Sequence, residues 1–527
     1  LKMTKALILV GLLSAICIIQ AAKILAIFPT PSISHQVVFR ALTQELTRRG
    51  HEIDVITPDP AFSNETAPPN LTEIDVHDIS YNYIYELVSK EIKQKKKTFG
   101  KENEWAAQID DSFAFRTTVA EIQLKSEQVR KLIAQRKKYD LLIVEAFIRP
   151  VLIFSHFFIA PVIQMSSFGA MFENLQAVGA PTHPILYPLN IRQRLYNLTD
   201  WEKIREHYYH LRLVHGSYMS VRKEDEMLQR IFGSNIPSIN DLVNNVDMLF
   251  LNVHPIWMDN TPVPPNVIFT GGLHQNHLKE LPQDLKSYLD SSKNGVVYVS
   301  FGTNVHPIMF PPERIKALTA ALSELPYDVL LVWKHDTLPG KAENIRISKW
   351  LPQSDLLRHP NLKAFVTQGG LQSTDEAITA GIPLVCIPLN GDQWYNGEKY
   401  VKLKIGLKLN FMTFTKSELK DAIETIISNK SYRENIVKLR SQIKDEPQTP
   451  LERAVWWVEY VLRHKGAKHL RAPAANMSIA EYYELKLVLI VITCVSIGLL
   501  LFYMGILSLF RYCVRNIFGT RDKLKRI

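Results

Sequence analysis

A run of polar side chains follows two glycines in FVTQGGLQSTDEA, residues 365–377. The apolar residues before Thr367 predict a buried strand, and the residues after Gly370 predict the start of a helix. Free backbone N–H groups and the helix dipole favour an anion at a helix start, and glycine lets the main chain approach a phosphate closely. The stretch therefore predicts a phosphate site, with a capped structural helix as the alternative.

The side chains of this stretch suit a nucleotide better than a phosphate alone. Gln372 and Ser373 could donate hydrogen bonds to phosphate oxygens, whereas Glu376, one turn further along, is acidic. A carboxylate is well suited to the two vicinal hydroxyls of a ribose. Because neither G-x-G-x-x-G nor G-x-x-x-x-G-K-[ST] occurs in the chain, we expect a nucleotide site of another type.

Alternating strand and helix patterns indicate the elements that must position these residues. KILAIFP (23–29) predicts a buried strand, VVFRALTQELTRRG (37–50) a helix, and HEIDVITP (51–58) the next strand. This order implies a parallel sheet, and a second series begins at GVVYVSFGT (295–303). We therefore expect an α/β fold of two doubly wound domains that face a cleft, with ligands beyond the carboxyl ends of the strands.

Both ends of the chain carry membrane-related patterns. Met3 and Lys5 precede a short apolar run, which predicts a cleaved secretory signal over residues 1–22, with a first core strand as the alternative. The uncharged stretch 487–510 predicts a transmembrane helix, with a buried core helix as the alternative. The basic tail 511–527 then places the C-terminus in the cytosol and the preceding domains in the lumen.

The net charge of +10 is concentrated at the two ends, so the body of the chain lacks the basic surface of a nucleic-acid-binding protein. Lys523 and Lys525 lie fifth and third from the C-terminus. This spacing resembles the dilysine signal that returns membrane proteins to the endoplasmic reticulum, and a plain charge cluster is the alternative.

Cysteine usage and sequons agree with a lumenal protein. Of four cysteines, Cys386 alone lies in the body of the chain, so we expect no intrachain disulfide there. The sequence N-x-[ST] marks candidate glycosylation sites. It occurs at Asn64, Asn70, Asn197, Asn429 and Asn476.

The spacing around the opening stretch carries a family resemblance. Trp350 lies 18 residues before Gln368, and Asp392 lies 16 residues after Glu376. Over about 47 residues, WLPQSDLLRHPNLKAFVTQGGLQSTDEAITAGIPLVCIPLNGDQWYN resembles the signature of the UDP-glycosyltransferases that act on small lipophilic molecules. The resemblance is to the membrane-anchored animal type, particularly its invertebrate members, and it implies the GT-B fold of two Rossmann-like domains.

The sequence patterns divide the chain into segments, and the layout of the resembled family agrees with them. We expect a signal peptide (1–22), an N-terminal acceptor-binding domain (23–265), a C-terminal UDP-sugar-binding domain (266–475), a linker (476–486), a membrane helix (487–510) and a cytosolic tail (511–527).

The resemblance also assigns roles in binding the donor. Trp350 would stack on the uracil, Gln353 would contact the ribose or the base, and Glu376 would take the ribose hydroxyls. Asp392 and Gln393 would read the sugar hydroxyls. Polar groups and glycines near the diphosphate would be Ser300, Thr303, Gln368, Gly369, Gly370, Gln372 and Ser373.

One of these positions departs from the family pattern. The family often has histidine where Gln368 stands in this chain. Glutamine can still donate a hydrogen bond to a phosphate, but it cannot carry a charge.

The resemblance places the catalytic base in the other domain. His35 lies in the loop after the first predicted strand, just before a helix, and it matches the family's base. Imidazole is a natural proton acceptor near neutral pH. The family orients this histidine with an aspartate, and the matching residue in YDLLIVEAF is Glu145, a longer carboxylate.

Together these features imply an enzyme that transfers a hexose from a UDP-sugar to hydroxyl groups of small lipophilic acceptors, with inversion and without a metal or cofactor. No D-x-D triplet is present to hold a metal–diphosphate complex. UDP-glucose is the expected donor, and UDP-glucuronate is the alternative. A detoxification enzyme of the endoplasmic reticulum membrane is expected, whereas acceptor identity and oligomeric state, including a homo-oligomer, stay open. The rivals are a non-catalytic lipophile-binding homologue and a structural membrane glycoprotein.

Overall fold

The computed structural model describes residues 21–62, 66–93, 105–275, 279–303, 305 and 309–524. The predicted signal peptide up to residue 20, the sequon at Asn64 and the tail residue Lys525 lie outside the described residues. The chain divides into two units, one up to Ala475 and one from Asn476 onward.

The first unit contains two parallel sheets. The first sheet has the strand order β3-β2-β1-β4-β5-β6-β7, and all of its pairings are parallel. Its strands are mostly buried along their length, as expected for a sheet covered on both faces. They are β1 (Lys23–Ile27), β2 (Glu52–Thr57), β3 (Leu71–Asp75), β4 (Leu141–Glu145), β5 (Val162–Ser166), β6 (Val246–Leu251) and β7 (Val267–Phe269).

The second sheet has the order β10-β9-β8-β11-β12-β13 and is also parallel throughout. Its strands are β8 (Val296–Ser300), β9 (Asp328–Val332), β10 (Ile345–Ser348), β11 (Leu362–Thr367), β12 (Leu384–Cys386) and β13 (Gly406–Lys408).

Helices connect the strands. Those of the first unit are α1 (Ile33–Arg48), α2 (His77–Lys93), α3 (Trp105–Leu124), α4 (Glu127–Gln135), α5 (Phe154–Phe157), α6 (Phe172–Val178), α7 (Asp200–Phe232), α8 (Ile239–Val243), α9 (Gln283–Ser291), α10 (Pro312–Ser323), α11 (Gln353–Leu356), α12 (Leu371–Ala380), α13 (Gln393–Lys402), α14 (Lys416–Ser428), α15 (Ser431–Lys444) and α16 (Pro450–His464). Short 3₁₀ turns cover Arg149–Ile153, Pro255–Met258 and Lys468–Leu470.

The two sheets pack against each other through a shared apolar cluster. This cluster joins Leu249 and Leu251 of β6 with Phe365 of β11 and Leu384 of β12, and Trp257 and Tyr395 belong to it. Burial of large apolar side chains of this kind stabilises the folded chain by about 1.5–3 kcal/mol per side chain.

Some elements differ from the expectation. Helix α1 begins at Ile33, so His35 lies in its first turn instead of in a preceding loop. Strand β3 was not predicted, because LTEID lacks a continuous apolar run and only Leu71 among its five residues is buried. Strand β7 extends the first sheet beyond the expected domain boundary at residue 265.

The end of the first unit also returns to the first sheet. Ala454 and Val455 of α16 lie in the same buried cluster as Val38 and Leu42 of α1. Helix α16 therefore covers the N-terminal half, although it lies within the range 266–475 expected to form the C-terminal domain.

The second unit contains α17 (Ile479–Tyr482) and α18 (Leu485–Leu524). Among the described residues, one helix is long and apolar enough to cross a membrane, over Leu485–Asn516 with a mean hydropathy of 2.7. This segment includes the expected span 487–510.

Candidate active site

The carboxyl ends of the central strands in both sheets carry the predicted site residues. In the first sheet, Glu145 is the last residue of β4 and His35 follows β1 in α1. In the second sheet, Ser300 ends β8 and Gln368 follows β11. Parallel sheets bind ligands at these ends, so the fold brings together residues that are far apart in sequence.

His35 and Glu145 form a hydrogen-bonded pair. His35 Nδ1 donates to Glu145 Oε1 at 3.1 Å, and the glutamate side chain is fully buried. The second oxygen, Oε2, accepts the backbone N–H of Thr30 at 2.9 Å. Because both carboxylate oxygens are bonded, the ring orientation is fixed, and Nε2 is the nitrogen left for a substrate proton.

Ser167 is a third member of this group that the sequence analysis missed. Its Oγ lies 2.8 Å from His35 Nδ1, and its backbone carbonyl accepts a hydrogen bond from Gln372 Nε2 at 3.0 Å. Ser167 thus contacts both the histidine and α12 of the second sheet. The only signal in the sequence is that Ser166 and Ser167 follow the largely apolar run APVIQM, residues 160–165.

Two aromatic side chains lie beside His35 in the half that contains the first sheet. The ring centroids of Phe147 and Phe168 lie 6.0 Å and 5.5 Å from the His35 ring, and 5.6 Å from each other. The space beside the imidazole is therefore lined by apolar carbon on two sides.

Trp350 and Gln353 follow β10 of the second sheet. Trp350 is 68% exposed, so its ring is accessible to a stacking partner. Gln353 donates through Nε2 to Ser373 Oγ at 2.9 Å and to Glu376 Oε2 at 2.7 Å. Its Oε1 accepts the hydroxyl of Tyr298 at 3.0 Å. Gln353 therefore holds the two α12 side chains in fixed positions.

Two neighbouring carboxyl groups lie on α12. Burial raises the pKa of Glu376 to about 7, and the hydrogen bond from Gln353 opposes that rise. Burial and the nearby Glu376 raise the pKa of Asp375 well above its ordinary value. Within the described part of the chain, Asp375 Oδ2 has no hydrogen-bond partner. Asp375 was not among the predicted site residues.

The two glycines before α12 have different structural roles. Gly369 has φ of +90°, and a Cβ there would lie 2.6 Å from Cys386 Sγ, so only glycine fits. Gly370 is the N-cap residue of α12, with an ordinary φ of −63°. Gln368 Oε1 is buried without a hydrogen-bond partner among the described residues.

The SFGT turn after β8 lies near this loop. Ser300 Oγ accepts the backbone N–H of Gly302 at 3.4 Å, and a Cβ on Gly302 would lie 2.3 Å from Gln368 Nε2. The carbonyl of Thr303 accepts a hydrogen bond from Lys334 Nζ at 2.7 Å. Lys334, which the sequence analysis did not single out, brings a cation to this turn.

Asp392 and Gln393 lie at the start of α13. Burial raises the pKa of the Asp392 carboxyl to about 6, and the electrostatic influence of His35 opposes that rise. The base candidate and the sugar-reading candidate therefore lie within electrostatic reach of each other. Gln393 Oε1 accepts the backbone N–H groups of Leu389 and Asn390, so its Nε2 is the group left for a ligand.

The described sequons differ in their surroundings. Asn197 and Asn429 are exposed, and Asn476 lies at the start of the second unit. Asn70 Nδ2 donates to the carbonyls of Thr47 and His51, each at 2.8 Å, so a glycan there would displace at least one of these bonds.

Comparison with known proteins gives a match over nearly the whole chain. A family model described as UDP-glucoronosyl and UDP-glucosyl transferase matches residues 22–523. An ecdysteroid UDP-glucosyltransferase of Spodoptera littoralis nuclear polyhedrosis virus is 36% identical, covering 92% of this chain and 96% of the relative. UDP-glycosyltransferase UGT5 of Dactylopius coccus is 31% identical, covering 98% of this chain and 97% of the relative.

Solved structures share the fold at lower identity. The glycotransferase of kitacinnamycin superposes with a TM-score of 0.56 at 19% identity, covering 83% of this chain and 99% of that one. The glycosyltransferase VinC, solved with DTDP, superposes with a TM-score of 0.55 at 17% identity, covering 84% of this chain and 100% of that one. The expected GT-B arrangement of two Rossmann-like domains is confirmed.

Proposed function

Because this chain belongs to the family of UDP-glucuronosyl and UDP-glucosyl transferases, we propose that it transfers glucose from UDP-glucose to a hydroxyl group of a small lipophilic acceptor. The observation that carries the proposal is the His35–Glu145 pair, which lies within electrostatic reach of Asp392. Relatives named ecdysteroid UDP-glucosyltransferases support glucose as the donor sugar and a steroid as one type of acceptor.

The reaction is a direct displacement at the anomeric carbon. The acceptor hydroxyl loses its proton to His35 Nε2 as its oxygen forms a bond to C1 of the glucose. The bond from C1 to the β-phosphate oxygen breaks, and its electron pair leaves with UDP. Attack from the face opposite the leaving group converts an α-linked donor into a β-glucoside.

Each side of the site has a part in this step. Glu145 fixes the imidazole ring and stabilises the imidazolium that forms. Backbone N–H groups at the start of α12 stabilise the charge on the departing UDP. Trp350 stacks on the uracil, Glu376 accepts the ribose hydroxyls, and Asp392 with Gln393 binds the glucose.

The acceptor lies against Phe147 and Phe168, whose rings line the space beside His35. A flat, apolar ring system with one hydroxyl group would pack against these two rings and present the hydroxyl to His35. No metal enters the proposal, because the chain lacks a D-x-D triplet and the positive end of α12 faces the leaving group. We place the first unit in the lumen of the endoplasmic reticulum, on the basis of the signal-like start and the basic tail.

The test is acceptor-dependent UDP release by the full-length chain in microsomes, with UDP-glucose or UDP-glucuronate as the donor and ecdysteroids or phenols as acceptors. We expect release with UDP-glucose, and its loss in His35→Ala. The matched control is His156→Ala, which removes an exposed histidine remote from the cleft. Release with UDP-glucuronate alone would overturn the donor assignment, and UDP binding without any release would favour a non-catalytic homologue.

A further inference from the structure

The buried amide of Asn396 joins three parts of the cleft. Asn396 lies on α13 and is 2% exposed. Its Nδ2 donates to the backbone carbonyl of Gly369 at 2.8 Å and to Asp392 Oδ2 at 3.0 Å. Its Oδ1 accepts the indole N–H of Trp257 at 2.8 Å. Both N–H groups and the carbonyl oxygen of this one side chain are thus engaged.

The bond to Asp392 fixes the direction of that carboxylate. Asp392 precedes α13, and Asn396 lies one turn into the helix. With Oδ2 held by Asn396, Oδ1 is the oxygen available to a sugar hydroxyl. Without this bond the carboxylate could rotate, and the entropy lost in ordering it would weaken ligand binding.

The bond from Trp257 comes from the other half of the first unit. Trp257 lies in the 3₁₀ turn Pro255–Met258 after β6, and its carbonyl accepts the hydroxyl of Tyr395 at 2.9 Å. The segment that follows the first sheet's sixth strand therefore contacts α13 through two separate hydrogen bonds. Only the indole bond reaches the amide that holds Asp392.

We propose that Asn396 is a positioning residue for the donor sugar, holding Asp392 ready to accept a glucose hydroxyl while Trp257 ties this arrangement to the acceptor half. The inference rests on the proposed function, in which Asp392 reads the sugar. Asn396 itself need not touch the glucose.

This role is separable from a general role in packing. UDP carries the uracil, ribose and diphosphate but no sugar, so it does not need Asp392. Loss of a positioning bond should weaken the binding of UDP-glucose more than that of UDP, whereas a packing defect should weaken the binding of both ligands. The informative quantity is therefore the ratio of the dissociation constants for UDP-glucose and UDP.

The experiment measures both dissociation constants by calorimetry on the full-length chain in nanodiscs. We expect Asn396→Ala to raise the ratio about tenfold, as loss of one hydrogen bond to a charged group predicts, with UDP affinity within about twofold of the starting value. Trp257→Phe removes the indole N–H and keeps a ring, and we expect about a threefold rise in the ratio. The control Tyr395→Phe removes the neighbouring bond and should leave the ratio unchanged.

A second readout is the pH dependence of the same ratio. Protonation of Asp392 at low pH should abolish the preference for UDP-glucose over UDP. The hydrogen bond from Asn396 lowers the pKa of Asp392, so Asn396→Ala should raise the pH at which this preference is lost. The titratable groups around Asp392 are His35 from the first half and Cys386 and Tyr400 beneath it, and these are unchanged in the variant. A packing defect that let water reach Asp392 would reduce its burial and shift this pH downward instead.

An unchanged ratio in Asn396→Ala, or equal weakening of UDP and UDP-glucose, would overturn the proposal. If that variant fails to fold, the ratio for Trp257→Phe decides in the same way. Because binding is measured without turnover, failure of the proposed function is separately visible as a wild-type chain that binds UDP-glucose but releases no UDP with any acceptor.

Discussion

Gln372 donates its side-chain amide to the backbone carbonyl of Ser167 over 3.0 Å, which joins α12 of the second sheet to the strand end beside His35. The sequence analysis expected Gln372 to bind the diphosphate. In the structure one of its N–H groups bridges the cleft, and the other is left for a phosphate oxygen. Helix α12 and His35, the proposed base, are therefore linked through Ser167, the residue that follows β5.

This link predicts the effect of Ser167→Ala. The change removes the Oγ that lies 2.8 Å from His35 Nδ1 but keeps the carbonyl that Gln372 uses. We expect kcat to fall about three- to tenfold, the order of one modest hydrogen bond, with the KM for UDP-glucose unchanged. Steady-state kinetics with varied donor would check this, and a raised donor KM with normal kcat would contradict it.

The carboxylate behind His35 is predicted to require both charge and length. Glu145→Gln keeps the shape but loses the charge that stabilises the imidazolium, so kcat should fall by about 10²–10⁴. Glu145→Asp keeps the charge but moves the carboxylate away from the His35 Nδ1 atom, which lies 3.1 Å from Glu145 Oε1. We therefore expect Glu145→Asp to lower kcat less than Glu145→Gln does.

Calorimetric UDP binding is the control for both variants, because neither change touches the donor half. A Glu145→Asp variant more active than the starting chain would show that glutamate is a poor substitute for the family's aspartate.

UDP affinity is predicted to depend on pH through Glu376. Burial raises its pKa to about 7, so the carboxyl group is mostly protonated below that pH. The ribose hydroxyls bind best to the ionised form, which accepts both of their protons. UDP affinity should therefore fall as the pH drops from 8 to 6, and binding near pH 7 should release protons.

Glu376→Gln should reduce this pH dependence to the part that comes from the terminal phosphate of UDP, and it should lower the affinity at high pH. Asp355, Arg358 and the neighbouring Asp375, which interact electrostatically with Glu376, are retained in that variant. Calorimetry in buffers of different ionisation enthalpy would count the released protons, and equal release by the starting chain and Glu376→Gln near pH 7 would contradict the assignment.

Trp350 is predicted to contribute to binding but not to folding, because 68% of its surface is exposed. Trp350→Ala should cost about 1–3 kcal/mol of UDP binding, the usual value of one base-stacking ring. Trp350→Phe should recover part of that loss. Thermal unfolding of the variants should match that of the starting chain, and Trp201→Ala, another exposed tryptophan at 73%, should leave UDP affinity unchanged.

The sequence alone predicted the two parallel sheets because their strands are continuous apolar runs, and the family resemblance paired His35 with Glu145. It missed β3, whose sequence LTEID has one buried residue and lies at a sheet edge, and β7, which has three residues and follows a proline-rich passage. It also missed the early start of α1, so that His35 proved to be helical. Short or amphipathic elements are defined by their partners more than by their own pattern.

The contacts of Asn396 and Ser167 could not be predicted for a different reason. Asn396 accepts a hydrogen bond from Trp257, 139 residues earlier, and Ser167 is bonded by Gln372, 205 residues later. No local spacing signals such pairs. They arise where the two halves meet, and that packing is fixed by a large apolar cluster, not by a motif.

The most direct test of the account is to incubate the full-length chain with UDP-glucose labelled with ¹³C at C1 and an ecdysteroid, and to read the anomeric signal by NMR. The account predicts a new β-glucoside signal, with UDP formed in equal amount, and no product from His35→Ala. An α-glucoside, or a product formed equally well without the His35 imidazole, would contradict direct displacement assisted by this base.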